Sequence, residues 1–132
     1  MILLDTHALV WMDAGSNKLG PRARIKIDAA LGEDALAVSA ITFWELGMLQ
    51  TKKRLELPPL MQWRRELMEM GLREIPVTGA DGIVANQLSN FHSDPADRLI
   101  VATAISSDAL LVTADRRILE WPGEMGRVDA GK

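Results

Sequence analysis

The stretch Met1-Ile2-Leu3-Leu4-Asp5 constrains the fold most: a short apolar run that ends abruptly in a carboxylate. A run without polar alternation reads as a strand buried on both faces, the situation of a strand inside a parallel sheet covered by helices. Open sheets of that kind bind ligands beyond the carboxyl ends of their strands, where Asp5 stands. Ala35-Leu36-Ala37-Val38 and Leu110-Leu111-Val112-Thr113 have the same character, and Asp115 lies just past the second.

Helical periodicity fills the spaces between these runs. Thr6 to Asp13 reads as a short helix, and Pro21 opens another in which Ala23, Ile25, Ile27, Ala30 and Leu31 pack while Arg22, Arg24 and Lys26 stay wet. Ser39 is a natural N-cap for a helix running to about Lys53. Pro58-Pro59 precedes a further helix that Gly71 ends, and Thr78 to Leu88 is helical. Arg73 to Val77 reads as an edge strand, because Pro76 cannot donate to a ladder. The helix from Asp94 to Ile105 is apolar on nearly every side and therefore buried, with Asp94 as N-cap and Pro95 at the first helical position. Arg116 to Glu120 forms a last short helix, and Arg127 to Ala130 a last strand. Strands alternating with helices indicate an α/β fold.

At 132 residues, 48% of them apolar, the chain suits one domain spanning 1–132 with a real core. It has no cysteine, which removes disulfides, thiolate zinc sites and cysteine nucleophiles together. No apolar run approaches the roughly 20 residues of a membrane span, and no signal peptide precedes the first strand, so a cytoplasmic protein is expected. The net charge of −3 argues against bulk attraction of polyanions, although cations held by a few acids would leave room for a local phosphate site.

Four acids stand at the ends of elements that a doubly wound sheet brings together: Asp5 and Asp115 after strands, Glu45 and Asp97 near the starts of helices. Three of them have a plainer reading. Glu45 has no cation one turn away, only Ile41, Thr42, Met48 and Leu49, but could share a solvated face with Lys52 and Lys53. Asp97 could serve the helix dipole, and Asp115 could cap Arg116 to Glu120. Carboxylates gathered at one point repel unless protonated or bridged by a cation, and Mg²⁺ or Mn²⁺ suits an all-oxygen site. Such a site fits phosphodiester hydrolysis.

The segments Ile2-Leu3-Leu4-Asp5-Thr6-His7, Ser39-Ala40 to Trp44-Glu45-Leu46, His92-Ser93-Asp94-Pro95-Ala96-Asp97-Arg98 and Leu111-Val112-Thr113-Ala114-Asp115 together resemble a PIN-domain ribonuclease. Most closely they resemble the VapC toxins of type II toxin–antitoxin pairs. The resemblance spans nearly the whole chain, with the motifs in family order. It implies a three-layer α/β/α sandwich around a five-stranded parallel sheet of order 3-2-1-4-5. It assigns Asp5, Glu45, Asp97 and Asp115 to the catalytic acidic quartet, which holds one or two Mg²⁺ or Mn²⁺ ions, and Asp94 to a helix cap. Arg98 matches an arginine that would contact substrate phosphate or orient Asp97, with a plain ion pair as the alternative. Thr6 and Thr113 are candidate supporting hydroxyls, with ordinary strand-end hydrogen bonding as the alternative. The implied activity is endonucleolytic cleavage of structured RNA, often transfer RNA, leaving a 5′-phosphate and a 3′-hydroxyl and inhibiting translation. The implied assembly is a homodimer inhibited by a cognate antitoxin.

Rival chemistries fit less well. Aspartyl-phosphate phosphatases carry a second Asp two residues after the first, where this chain has His7. A metal-free ribonuclease could use His7 and His92 as acid and base. A PIN-like module that binds RNA or protein without cutting is the non-enzymatic alternative, and its sign would be a lost carboxylate. Trp44, Met48, Trp63, Met61, Met68 and Met70 could line a groove for an antitoxin helix or belong to the core. Lys52, Lys53, Arg54, Arg64 and Arg65 could guide RNA or solvate two helices.

Overall fold

The computed structural model describes residues 1–132. Its elements alternate as β1 (Ile2–Leu4), α1 (Thr6–Ala14), α2 (Pro21–Gly32), β2 (Leu36–Ser39), α3 (Ile41–Thr51), α4 (Leu60–Met70), β3 (Arg73–Ile75), α5 (Gly79–Gln87), α6 (Pro95–Ser106), β4 (Leu110–Thr113), α7 (Arg116–Leu119) and β5 (Arg127–Asp129). The five strands form one sheet, entirely parallel, in the order β3-β2-β1-β4-β5. Leu4 pairs with Val38 on one side and Val112 on the other, so the three strand ends lie at one level.

The apolar runs bury both faces of the sheet because successive side chains point in opposite directions. Ile2, Leu4, Leu36, Val38 and Val112 face a core with α1, α2, α3 and α4. Leu3, Ala37 and Leu111 face a second core completed by Ile100, Val101 and Ala104 of α6 and Ile118 of α7, while α5 packs on α6. The molecule is thus a three-layer α/β/α sandwich. Ile100, 1% exposed, fills the second core between α6 and the sheet. Ile100→Ala should lower the unfolding free energy by about 2–5 kcal/mol, measured by urea denaturation.

Several boundaries differ from the expected ones for identifiable reasons. β3 stops at Ile75, before Pro76, and occupies the sheet edge. Ser39 is not the N-cap of α3: it is the last, fully buried residue of β2, and Ala40 holds the cap position. Its hydroxyl still accepts the Ile41 N–H at 3.3 Å and receives the Thr103 hydroxyl at 3.3 Å, so it ties β2 to α6. α3 ends at Thr51, two residues short of the expected Lys53. Gly71 closes α4 at a φ of 115°, where a side chain would be strained. Trp63 is not a surface residue but part of the first core, 3% exposed, its indole N–H donating to Asp13 at 2.9 Å. No helix is long and apolar enough to cross a membrane.

Candidate active site

The chain leaves β1 at Leu4 and turns at once into α1, with Asp5 as the N-cap between them. An extended backbone there (φ −75°, ψ 175°) lets Oδ1 accept the Ala8 N–H at 2.8 Å, while the Asp5 N–H donates to the Val112 carbonyl at 3.0 Å. Asp5 is therefore held by the neighbouring strand as well as by its own helix. It is 7% exposed, and burial pushes its carboxyl up to about 6, against hydrogen bonds from Thr113 and Ala8 that favour the anion.

Glu45 reaches the same place from α3, which packs against α1. The Thr6 hydroxyl donates to its Oε1 and lies 3.4 Å from the Thr42 hydroxyl. Glu45 thus points into the site and not onto a solvated face with Lys52 and Lys53. Burial raises its pKa, and the nearby charges of Asp97 and Asp94 add to the rise.

Asp97 sits in the first turn of α6, its backbone N–H capped by Asp94 Oδ1 at 3.0 Å. Its Oδ2 meets His92 Nε2 at 2.6 Å. Burial raises the Asp97 pKa while the His92 hydrogen bond opposes it. The imidazole stacks on Phe91 with centroids 4.4 Å apart, and its Nδ1 is buried without a hydrogen-bond partner. With one nitrogen engaged and the other buried, His92 is not placed to work as a free acid or base alongside His7.

Arg98 departs from its expected role. Its Nε donates to the His92 carbonyl at 2.8 Å, Nη1 to Ala85 at 2.9 Å and Nη2 to Phe91 at 2.7 Å. The guanidinium is consumed by backbone oxygens because the loop before α6 has no strand or helix to satisfy its carbonyls. It neither pairs with Asp97 nor faces the acids; it clamps the loop that carries His92.

Asp115 caps α7, its Oδ1 accepting the Arg117 N–H at 2.8 Å, and its own N–H donates to the Thr113 hydroxyl at 3.1 Å. Thr113 therefore serves both strand-end acids. Although desolvation works in the opposite direction, hydrogen bonds and charge from Arg117 hold Asp115 below the usual carboxylate range.

Asp5, Glu45, Asp94, Asp97 and Asp115 line one open cavity of about 410 Å³, whose single lining cation from Lys or Arg is Arg117. Ligand atoms of His92, Asp97 and Asp115 lie within 4.8 Å of one another, as do those of Glu45, Asp94 and Asp97. Asp97 belongs to both groups. Asp5 belongs to neither, although it lines the same cavity and is itself buried. Oxygen donors of this number, three of them with pKa values raised by desolvation, suit a hard divalent cation such as Mg²⁺ or Mn²⁺.

Two contributors have roles that the sequence reading did not assign. His92, weighed there as an acid or base with His7, had a usable signal for its bond to Asp97 in its place five residues before that acid, at the loop end of a helix start. Arg117 had little, because a residue two positions past an acid is usually just the next residue of a helix.

The family model for the PIN domain matches residues 2–123. The Mycobacterium tuberculosis protein called Ribonuclease VapC22 is 40% identical over 119 residues, covering 89% of this chain and 88% of its own. Among solved structures, the VapBC2 complex of Rickettsia felis bound to a promoter DNA fragment superposes with a TM-score of 0.68 at 18% identity, over 97% of this chain and 98% of that one. A toxin–antitoxin complex from Klebsiella pneumoniae gives 0.64 at 22% identity, over 98% of both chains. At such identities these structures speak to the fold alone. The family match and the similarity to VapC22 go further, and the chain belongs to the PIN-domain family as a VapC-like member.

Proposed function

We propose that this protein is a Mg²⁺- or Mn²⁺-dependent endoribonuclease, the toxin of a type II toxin–antitoxin pair, acting on transfer RNA or another structured RNA and so inhibiting translation. The observation that carries this reading is the convergence of Asp5, Glu45, Asp97 and Asp115 on one open cavity, in a chain 40% identical to a protein named as a ribonuclease. An intact quartet favours an enzyme over a silent PIN-like binding module.

The four acids are the proposed metal ligands and catalytic residues. A bound divalent cation would offset their mutual repulsion, polarise a phosphoryl oxygen and make water a stronger nucleophile at neutral pH. The chain's own part is to hold oxygens in place for that ion. Ala8 and Thr113 fix Asp5, Thr6 fixes Glu45, His92 fixes Asp97, and the Arg117 backbone N–H and Thr113 fix Asp115 and its turn. Preorganisation of this kind removes the need to gather charges during the reaction.

Partners follow from the same reading. The solved relatives include toxin–antitoxin complexes, and here Trp44 and Met61 stand 57% and 73% exposed, available to a helix of a cognate antitoxin. Ile83 of α5, 61% exposed, offers an apolar contact for the expected homodimer. Arg64 is not free to guide RNA, since its guanidinium grips both oxygens of Glu74 at 2.7 and 2.8 Å.

Incubating the purified protein with a panel of transfer RNAs tests the assignment. Cleavage should require Mg²⁺ or Mn²⁺, stop on addition of EDTA, and leave 5′-phosphate ends. Undiminished cutting in EDTA would overturn the metal mechanism, and RNA binding without cleavage under any divalent ion would favour the silent module.

A further inference from the structure

The Arg117 guanidinium occupies an unusual place for an exposed arginine. Its Nη2 lies 2.8 Å from Asp115 Oδ2 and 3.6 Å from Asp97 Oδ2, and its Nε lies 3.2 Å from Asp115 Oδ1. Those two carboxylates belong to the proposed metal ligands, and Arg117 is the one Lys or Arg lining their cavity. The cluster therefore contains a cation of its own chain.

We propose that Arg117 is an exchangeable counter-ion: it bridges Asp97 and Asp115 when no metal is bound, gives way to the divalent ion, and is then free to bind a substrate phosphate at the cavity mouth. This rests on the metal-dependent reading of the site. Its physical basis is a competition of charges for the same oxygens. A divalent ion interacts with both carboxylates more strongly than one guanidinium does. Arg117 is 60% exposed in its side chain, so release into water carries little desolvation loss. The cap on α7 survives the exchange, because the backbone N–H of Arg117 holds Asp115 Oδ1 independently of the guanidinium.

Once released, the guanidinium remains tethered two residues from Asp115, beside the acids that would act on a phosphodiester. Its planar donors match phosphate oxygens, and no other lining Lys or Arg competes for them. The exchange also couples the two ligands. Metal frees the arginine for phosphate, and phosphate drawing the arginine away opens Asp115 to metal; by linkage each must strengthen the other. A chain with a net charge of −3 would thus acquire its phosphate-binding cation only when the metal is present.

The test compares the parent with Arg117→Ala and Arg117→Gln, their folding checked by circular dichroism. Mn²⁺ binding is read by titration calorimetry, and binding of a fluorescent 2′-O-methyl phosphorothioate RNA hexamer by anisotropy with and without Mn²⁺. Removing the competitor should tighten Mn²⁺ binding by about fivefold, the scale of one exposed ion pair. The same variants should show a smaller Mn²⁺-induced gain in hexamer affinity than the parent. Unchanged or weaker Mn²⁺ binding in both variants would overturn the exchange, the weaker case making Arg117 a fixed support of Asp115. An undiminished Mn²⁺-induced gain would overturn the phosphate role. Asp5→Asn serves as a separate control: if it leaves Mn²⁺ binding intact, the metal-site reading itself fails, whatever Arg117 does.

Discussion

Asp5→Asn should yield a folded protein that cleaves RNA on the order of 10³-fold more slowly, the scale of losing several kcal/mol of transition-state stabilisation. In EDTA at neutral pH the same variant should unfold at a higher temperature than the parent. The two effects have one cause. Burial pushes the Asp5 carboxyl from 3.8 up to about 6, so the folded chain disfavours the anion that the proposed chemistry requires.

The sign of the pH dependence follows directly. Between those two values the folded state retains a proton that the unfolded state has released, so stability falls as pH rises through that window. Above about 6 the loss is complete, at about 3 kcal/mol for this group, and the raised pKa values of Glu45 and Asp97 act in the same direction. Asparagine keeps an oxygen for the Ala8 N–H, is a good N-cap, and never ionises. Thermal unfolding from pH 4 to 8 in EDTA should therefore show a decline in the parent that Asp5→Asn lessens and that Mn²⁺ in place of EDTA counteracts. Parental activity in the variant, or a parent stability indifferent to pH across that range, would remove Asp5 from the centre of the site.

The second large effect is expected from a residue placed behind the cavity. His92→Leu should weaken Mn²⁺ binding by about 10–100-fold, the usual consequence of losing a partner that orients a metal ligand. His92 holds Asp97 Oδ2 at 2.6 Å, and Asp97 belongs to both groups of converging ligand atoms. His92→Gln, which can present an N–H toward the same oxygen, should recover part of the affinity. Arg98→Met should reproduce the loss by another route, since three carbonyls of the His92 loop and of α5 lose their donor. The two variants separate in urea: Arg98→Met should also unfold at lower denaturant, whereas His92→Leu should lie close to the parent. Full Mn²⁺ affinity in His92→Leu would make the histidine a packing residue of the Phe91 stack and nothing more.

What was legible in the sequence was everything that local pattern controls. Three apolar runs required strands buried on both faces, Pro76 sent Arg73–Ile75 to the edge, and Pro95 after Asp94 marked the start of a buried helix. The acids were visible as acids at the ends of elements, because strand ends and helix starts have sequence signals. The chain's similarity to VapC ribonucleases, read from four ordered segments, identified the family that the comparisons establish.

Tertiary structure decided where long side chains go. Arg98 follows Asp97 in the chain, yet its guanidinium turns to the carbonyls of Ala85, Phe91 and His92, which no local pattern relates to it. Ser39 ends β2 and leaves the N-cap position of α3 to Ala40, although its hydroxyl still accepts the Ile41 N–H. Trp63 is a core residue because α4 rolls it inward against Phe43, their rings 6.4 Å apart. The same dependence on three dimensions sets the carboxylate pKa values, raised by burial at Asp5, Glu45 and Asp97 and lowered by Arg117 at Asp115. By itself the sequence determined the buried strands and the ends at which its acids would stand, since strand burial and turn chemistry are local. Only the folded chain decided which cations and hydrogen bonds those acids meet, because the partners of Asp5, Glu45 and Asp97 lie on elements far apart in sequence or across a turn whose geometry the packing sets.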